Sequence, residues 1–325
     1  SKRILIRYGQ NAQPTEKQKR NIELFASKYD CVIITDFISN LDCAYNLKPY
    51  NMLQAISQKD FNEQLSPDIL ITVGGKCLMD EPLTRKVRGG LKNIRHWHVS
   101  PNGKIKDFYF RLSSVLEISQ DYFFEWFVNQ AGDIRNDGVY YGKWKSLVEK
   151  YNPPQVTRFN AHYIQSKFIP AVPSGAVLHL GVGQSFIDTR RYTMRENVDV
   201  FCNMGTNGID GCTSTFMGQC AVVKDKLCFL LVGDLSFFYD MNSIWNKKIG
   251  KNVRILLVNN NGTGLLRGHK LNAISSVHGT SAKGWVESTI FEYMSADSQE
   301  KFEEKLQYFL SEKSEKPLFF EVFCD

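Results

Sequence analysis

What most restricts the fold of this 325-residue chain is a repeated alternation. A short apolar run rich in β-branched residues is followed by a stretch of helical spacing, and then by another run. Arg3–Tyr8, Cys31–Asp36, Asp68–Val73, Arg95–Val99 and Ile105–Ile118 form one series. Ala176–Leu180, Val198–Cys202, Leu227–Val232, Val253–Val258 and Pro317–Phe323 form a second. Most of these runs are apolar throughout rather than at every other position. Such strands need cover on both faces, as strands of parallel sheets have. Helices are expected at Thr15–Tyr29, Glu81–Gly90, Tyr141–Tyr151 and Asn160–Ile169. Strand–helix–strand units of this kind give an α/β fold. The length accommodates two domains of ~100–200 residues each. The polar stretch 132–138 (GDIRNDG) reads as a linker, which divides the chain into domains 1–135 and 136–325, each a mostly parallel sheet flanked by helices.

Composition narrows the function classes. Hydrophobic residues make up 43% and charged residues 23%, the balance of an ordinary globular protein. No apolar run reaches the ~18 residues of a membrane helix. The opening Ser1-Lys2-Arg3-Ile4-Leu5-Ile6 is a basic step into a strand, not a signal peptide. The net charge of +6 is scattered over Lys17–Arg20, Arg85–Arg88 and Lys247–Lys251, so solvated faces are expected rather than nucleic-acid binding. Eight cysteines occur without a CxxC pair. Buried free thiols in a reducing cytoplasm account for them, and zinc is not expected.

Open parallel sheets bind ligands at the carboxyl ends of their strands. Three such ends in the second domain stand out. Leu227–Val232 runs into Gly233-Asp234-Leu235-Ser236 and then a helical pattern over Phe237–Asn246. Free N–H groups at a helix start favour an anion, yet Asp234 repels one. A cation between the two removes the conflict, and Mg²⁺ is commonly shared between protein oxygens and phosphates. The next strand, Val253–Val258, ends in Asn259-Asn260-Asn261-Gly262-Thr263-Gly264. Consecutive amides suit a strand poorly but offer oxygen ligands. Neighbouring strand ends lie ~5 Å apart, so Asp234 and one of these Asn can share a metal. After Val198–Cys202 comes Asn203-Met204-Gly205-Thr206-Asn207-Gly208-Ile209-Asp210-Gly211, where the apolar Ile209 must pack against something. Gly74-Gly75-Lys76, after a strand of the first domain, reads as a plain turn, with a phosphate grip as the alternative.

The stretch GDLSFFYDMNSIWNKKIGKNVRILLVNNNG resembles the signature of enzymes that depend on thiamine diphosphate. Within that superfamily the chain is similar to the menaquinone-pathway synthases of succinyl-enolpyruvyl-hydroxycyclohexene-carboxylate. The likeness rests on the GTNGIDG loop, the GDLS form of the first motif, the triple Asn, and the turn Leu180-Gly181-Val182-Gly183-Gln184-Ser185. It covers most of 138–325 and, more loosely, the first domain, which resembles the central non-catalytic domain of these enzymes. It implies thiamine diphosphate and Mg²⁺ as cofactors, and decarboxylation of a 2-oxo acid with transfer to an acceptor. Asp234 and Asn261 would bind Mg²⁺ by side chains and Thr263 by its carbonyl. Leu235 and Ser236 would meet the diphosphate, with Gly183, Gln184, Ser185, Gly233, Gly264 and Leu265 alongside. Ile209 would be the apolar wedge that bends the cofactor. Gly208, between Asn207 and Asp210, would leave room for the aminopyrimidine. Arg190, Arg191 and Arg267 would meet substrate carboxylates, since Arg offers a bidentate fork.

In that superfamily a separate pyrimidine-binding domain supplies a Glu that activates the cofactor. The resemblance therefore implies part of a longer protein, inactive alone and a homodimer or tetramer at full length. Its expected partners are a small 2-oxo acid and an acceptor, with no nucleic acid and no membrane. Two departures leave other readings open. Met204 stands where the family has Arg, and a second family Arg aligns near Thr189. The alternatives are a 2-oxo-acid decarboxylase or acetolactate-synthase-like enzyme of another pathway, such as surface-polysaccharide assembly, or a cofactor-binding module without catalysis. Among the remaining candidates, His278 and His269 read as solvated loop residues, with a site-facing position as the alternative. His96 and His98 share a strand face without a third metal ligand in view. Asp240 is expected to face solvent, and the aromatic stretches Phe108–Phe110 and Tyr122–Phe127 to serve core or interface.

Overall fold

The computed structural model describes residues 2–76, 80–91, 93–134, 136–151, 155–205, 207–264 and 275–325. They divide into two compact units, Ser1–Pro153 and Pro154–Asp325. The first unit carries strands β1 (Ile4–Tyr8), β2 (Cys31–Ile34), β3 (Asn46–Leu47), β4 (Ile69–Val73), β5 (Arg95–Val99) and β6 (Leu112–Leu116). They form one sheet in the order β3-β2-β1-β4-β5-β6, with every pair parallel. Successive side chains point to opposite faces, so Leu5, Val32, Ile34 and Leu70 build one core and Ile4, Ile6, Ile33 and Ile71 the other. The helix Glu16–Lys28 covers the second face. Thr15 starts it as a capping box, accepting from Gln18 N at 3.3 Å while Gln18 Oε1 accepts from Thr15 N at 2.7 Å.

The division falls later in the chain than the linker signal suggested. The helix Val139–Lys150 was expected in the second domain, but its Tyr140 and Trp144 belong to the core of the first sheet. Tyr140 OH donates to Leu65 O at 2.8 Å, and Trp144, fully buried, meets Phe61 edge-on. A polar stretch can be a loop within a domain as readily as a boundary, and here 132–138 only leads into one more packed helix. The run Ile105–Ile118 shortens to β6, because Phe110 takes a left-handed φ of 55° that a strand cannot hold. The helices Tyr50–Ala55 and Gln120–Gln130 had no sequence counterpart. The glycines at 74 and 75 make a turn zipped to the loop after β1, with Gly75 N donating to Gln10 O at 2.9 Å and Gln10 N to Lys76 O at 2.9 Å.

His96 and His98 do share a face, and Thr72 Oγ1 bridges His96 Nε2 at 3.0 Å and His98 Nδ1 at 2.9 Å. Burial pushes the His96 imidazole down to about 4, and burial likewise lowers His98. Between about pH 6.5 and 4 the unfolded chain binds a proton at His96 that the folded chain does not, so stability must fall as pH falls through that window. At ~1.4 kcal/mol per unit the loss from His96 reaches up to about 3 kcal/mol. Urea titrations of the His96→Gln variant should show a shallower acid slope, with a remainder from His98. An unchanged slope would refute the assignment.

The second unit carries β7 (Val177–Leu180), β8 (Asp199–Cys202), β9 (Cys228–Gly233), β10 (Val253–Asn259), β11 (Glu292–Ala296) and β12 (Leu318–Phe323). Their order is β11-β12-β10-β9-β7-β8, again wholly parallel. Thus β9 and β10 are neighbours at the centre of the sheet. Their register pairs Val258 with Gly233, which sets Asn259 level with Asp234. The strand β11 (EYMSA) and the helix Gln299–Leu310 were not expected, the former because it has no apolar run. The cysteines Cys31, Cys43, Cys202, Cys212, Cys220, Cys228 and Cys324 are free and buried, while Cys77 lies outside the described residues. Among the described residues no helix is long and apolar enough to cross a membrane.

Candidate functional site

Asp234 opens a short helix, Asp234–Tyr239, directly after β9, and only 2% of it is exposed. Its two oxygens are used very differently. Oδ2 accepts from the main-chain N–H of Asn260 at 3.1 Å and of Gly262 at 3.0 Å, and His278 Nε2 lies 3.2 Å from it. The Asn260 amide, oriented to satisfy its neighbours, adds a further donor to Oδ2 at 3.3 Å and gives a proton to Gly262 O at 2.7 Å. Among the described residues Oδ1 takes only the adjacent Leu235 N–H, at 2.6 Å. One oxygen thus organises the asparagine turn, and the other faces the start of its own helix.

Among the described residues no Lys or Arg pairs with this carboxylate. A buried anion without a counter-ion costs several kcal/mol, which a cation at Oδ1 would offset. The turn supplies further oxygens. Asn261 is held at a left-handed φ of 60°, exposed, and its amide has no partner among the described residues. Gly262 sits at φ 146°, where an added Cβ would stand 2.8 Å from Ser275 O, so only glycine fits. Thr263 N donates to Ser275 O at 2.9 Å, leaving the Thr263 carbonyl unaccepted among the described residues. A carboxylate, a carboxamide and a carbonyl are the hard-oxygen donors that Mg²⁺ takes.

Two more loops meet this pair. Ser236 Oγ donates to Ile209 O, which ties the glycine-rich 203–211 loop to the helix after β9. Ile209 and Gly208 are half-exposed, and Asn207 and Asp210 are exposed. On the β7 side Gly183 and Gln184 open the helix Gln184–Thr189, whose Ser185 is buried. A Cβ on Gly264 would stand 3.3 Å from Gln184 Oε1, so the β7 and β10 loops touch there. The expected cluster of Gln184, Ile209, Asp234, Leu235, Ser236 and the Asn260–Gly264 turn is therefore gathered by direct contacts.

No family model matches the chain. A 2-succinyl-5-enolpyruvyl-6-hydroxy-3-cyclohexene-1-carboxylate synthase of Phocaeicola vulgatus is 34% identical over 302 residues, which cover 89% of this chain. The synthase of Bacteroides fragilis is 32% identical over 95% of the chain, and that of Flavobacterium psychrophilum 27% identical over 99%. This chain is a relative of these synthases. It spans about half to three-fifths of their length, at 51%, 58% and 60% respectively.

Against the synthase likeness, several residues need placing. Arg190 Nε donates to Ile187 O at 2.7 Å, and Arg191 Nε lies 3.6 Å from Asp188 Oδ1, so both are engaged at the end of the Gln184–Thr189 helix. Leu265, Arg267 and His269 lie outside the described residues. His278 is not a solvated loop residue: its side chain is 17% exposed and faces Asp234. Thr280 N donates to its Nδ1 at 3.1 Å, which fixes the ring beside the carboxylate. Asp240 does not simply face solvent either. It accepts from Ser214 N at 2.6 Å and from Ser214 Oγ, fixing the first turn of the helix Cys212–Val222. Neither residue stands at a motif spacing that could have announced it.

Proposed function

We propose that this chain is the diphosphate- and Mg²⁺-binding part of a thiamine-diphosphate enzyme of the synthase type, which decarboxylates a 2-oxo acid and passes the remaining fragment to an acceptor. The observation that carries the reading is the divided use of Asp234: Oδ2 is committed to the triple-asparagine turn, while Oδ1 accepts, among the described residues, from the Leu235 N–H alone. When bound, thiamine diphosphate supplies carbanion stabilisation at its thiazolium ring. The residues of this chain would hold its other end. Asp234, Asn261 and the Thr263 carbonyl would ligate the metal. Leu235 and Ser236 stand in the first turn of the helix after β9, where a diphosphate would be favoured. Ile209, fixed through its carbonyl by Ser236, would support the bend between the two rings. The reading assigns ring activation to a pyrimidine-binding domain, so binding rather than turnover is the property to test on these residues.

A second reading concerns the acceptor. Thr189 is fully buried; its hydroxyl donates to Ser185 O at 2.7 Å, and Gln165 Oε1 lies 3.2 Å from the same oxygen. That position offers no guanidinium to a substrate carboxylate. This favours a smaller or different acceptor, in another biosynthetic pathway. The primary test is calorimetry of the chain with thiamine diphosphate and with ATP, each with Mg²⁺. Thiamine diphosphate should bind at least tenfold more tightly. Tighter binding of ATP would show that the site takes a nucleotide instead.

A further inference from the structure

Glu321 lies within β12, fully buried, and no Lys, Arg or His among the described residues forms an ion pair with it. Neutral donors alone satisfy its carboxylate. Asn259 Nδ2 and Ala282 N reach Oε1 at 2.8 Å and 3.0 Å. Ser281 Oγ and Tyr293 OH reach Oε2, each at 2.7 Å. A buried carboxylate without a cation is expensive to keep, and a hydrophobic residue would pack in its place. Its donors come from three segments; Tyr293 on β11 stands apart, and the other two run on into the Asp234 site.

The first segment is Asn259, itself fully buried. Its Nδ2 is shared between Glu321 and Thr280 O, the latter at 2.8 Å. This turns its Oδ1 toward Asn261 N, which donates to it at 3.2 Å. The second segment is the 278–282 loop. Its Ser281 and Ala282 grip Glu321, while its His278 sits 3.2 Å from Asp234 Oδ2 and donates its main-chain N–H to Asn261 O at 3.2 Å. Both paths converge on Asn261 and Asp234.

We infer that Glu321 is a positioning residue of the metal site: through Asn259 and the 278–282 loop it sets the conformation of the turn that presents Asn261 beside Asp234. The inference rests on the Mg²⁺ and thiamine-diphosphate reading and deepens it. Outer-shell partners of metal ligands typically change affinity by about 10- to 100-fold when removed.

The test measures the Mg²⁺ concentration needed for half-maximal thiamine-diphosphate binding. Glu321→Met keeps the bulk of the side chain but removes the acceptor, and should raise that concentration by about tenfold or more. Glu321→Gln should stay within about threefold of the wild type, because one oxygen can still serve Asn259 and Ala282 while the two hydroxyls rotate to accept from its NH₂. Tyr293→Phe removes a Glu321 partner but not Asn259, and should lower stability without weakening the metal. Asn259→Ala cuts the relay beyond Glu321 and should match Glu321→Met, which keeps the test decisive if the methionine variant does not fold. A tenfold loss in Tyr293→Phe, or wild-type affinity in Asn259→Ala, would overturn the inference. If the wild type itself binds no thiamine diphosphate with Mg²⁺, the functional reading fails instead.

Discussion

Asp234→Asn should abolish Mg²⁺-dependent binding of thiamine diphosphate while leaving the second unit folded. The replacement keeps one carbonyl oxygen, which can take the place of Oδ2 and go on accepting from Asn260 N and Gly262 N. The new NH₂ then occupies the Oδ1 position. There it has lost the Leu235 N–H as a partner and presents a donor where a metal needs a lone pair. The fold gives up about one hydrogen bond, roughly 1 kcal/mol. The ligand loses its one charged protein donor, and an affinity loss of ~100-fold or more is expected, about 3 kcal/mol at 1.4 kcal/mol per decade. Asp234→Ala should differ in kind. It orphans both turn N–H groups, at about 1–3 kcal/mol each, and so lowers thermal stability as well as binding. Calorimetry with Mg²⁺ and thiamine diphosphate, beside a melting curve for each variant, separates the effects. Wild-type affinity in Asp234→Asn would remove Asp234 from the metal assignment.

The contrast between these two variants also marks where sequence reasoning reached and where it stopped. The meeting of the Asp234 and triple-asparagine turns was legible because each part is short and chemically unusual. Gly-Asp at one strand end and three amides at the next contradict local strand propensity, so something other than folding has to explain them. The parallel sheets were legible for the opposite reason: runs such as CFLLV and ILLV agree with their neighbours at every level. What escaped were residues whose role exists only after folding. Glu321 looks like the polar member of an ordinary strand, LFFEVF, and its partners lie 28 to 62 residues away. Arg254 is similar, a cation inside the central strand β10. It is fully buried because its guanidinium donates to Phe309 O at 3.0 Å and Ser311 O at 2.8 Å, at the end of the Gln299–Leu310 helix. That helix end has no Gly or Asn cap in the sequence, and the missing donors come from a strand over 50 residues earlier.

The domain boundary failed for a related reason, and Trp144 gives it a quantitative test. The stretch 132–138 has linker composition, but composition does not say which core the following helix joins. Trp144 has no exposed surface, stands edge-on to Phe61 at 6.2 Å and to Tyr140 at 6.3 Å, and packs in the cluster that includes Leu5, Val32 and Leu70. Trp144→Ala removes an indole from a site lined by strands on one side and helices on the other, which cannot readily collapse. Buried Trp-to-Ala changes cost about 3–5 kcal/mol, a large part of the 5–15 kcal/mol that holds a domain folded. If the helix Val139–Lys150 belongs to the first unit, the loss must be confined there. Hydrogen exchange read by mass spectrometry should then quicken in peptides spanning β1, β2 and β4 and leave those spanning β9 and β10 at wild-type rates. Affinity for Mg²⁺ with thiamine diphosphate should not change, since none of the ligands sits on the first sheet. The reverse pattern, with β9 and β10 loosened and β1 protected, would return the helix to the second domain and restore a boundary near residue 135.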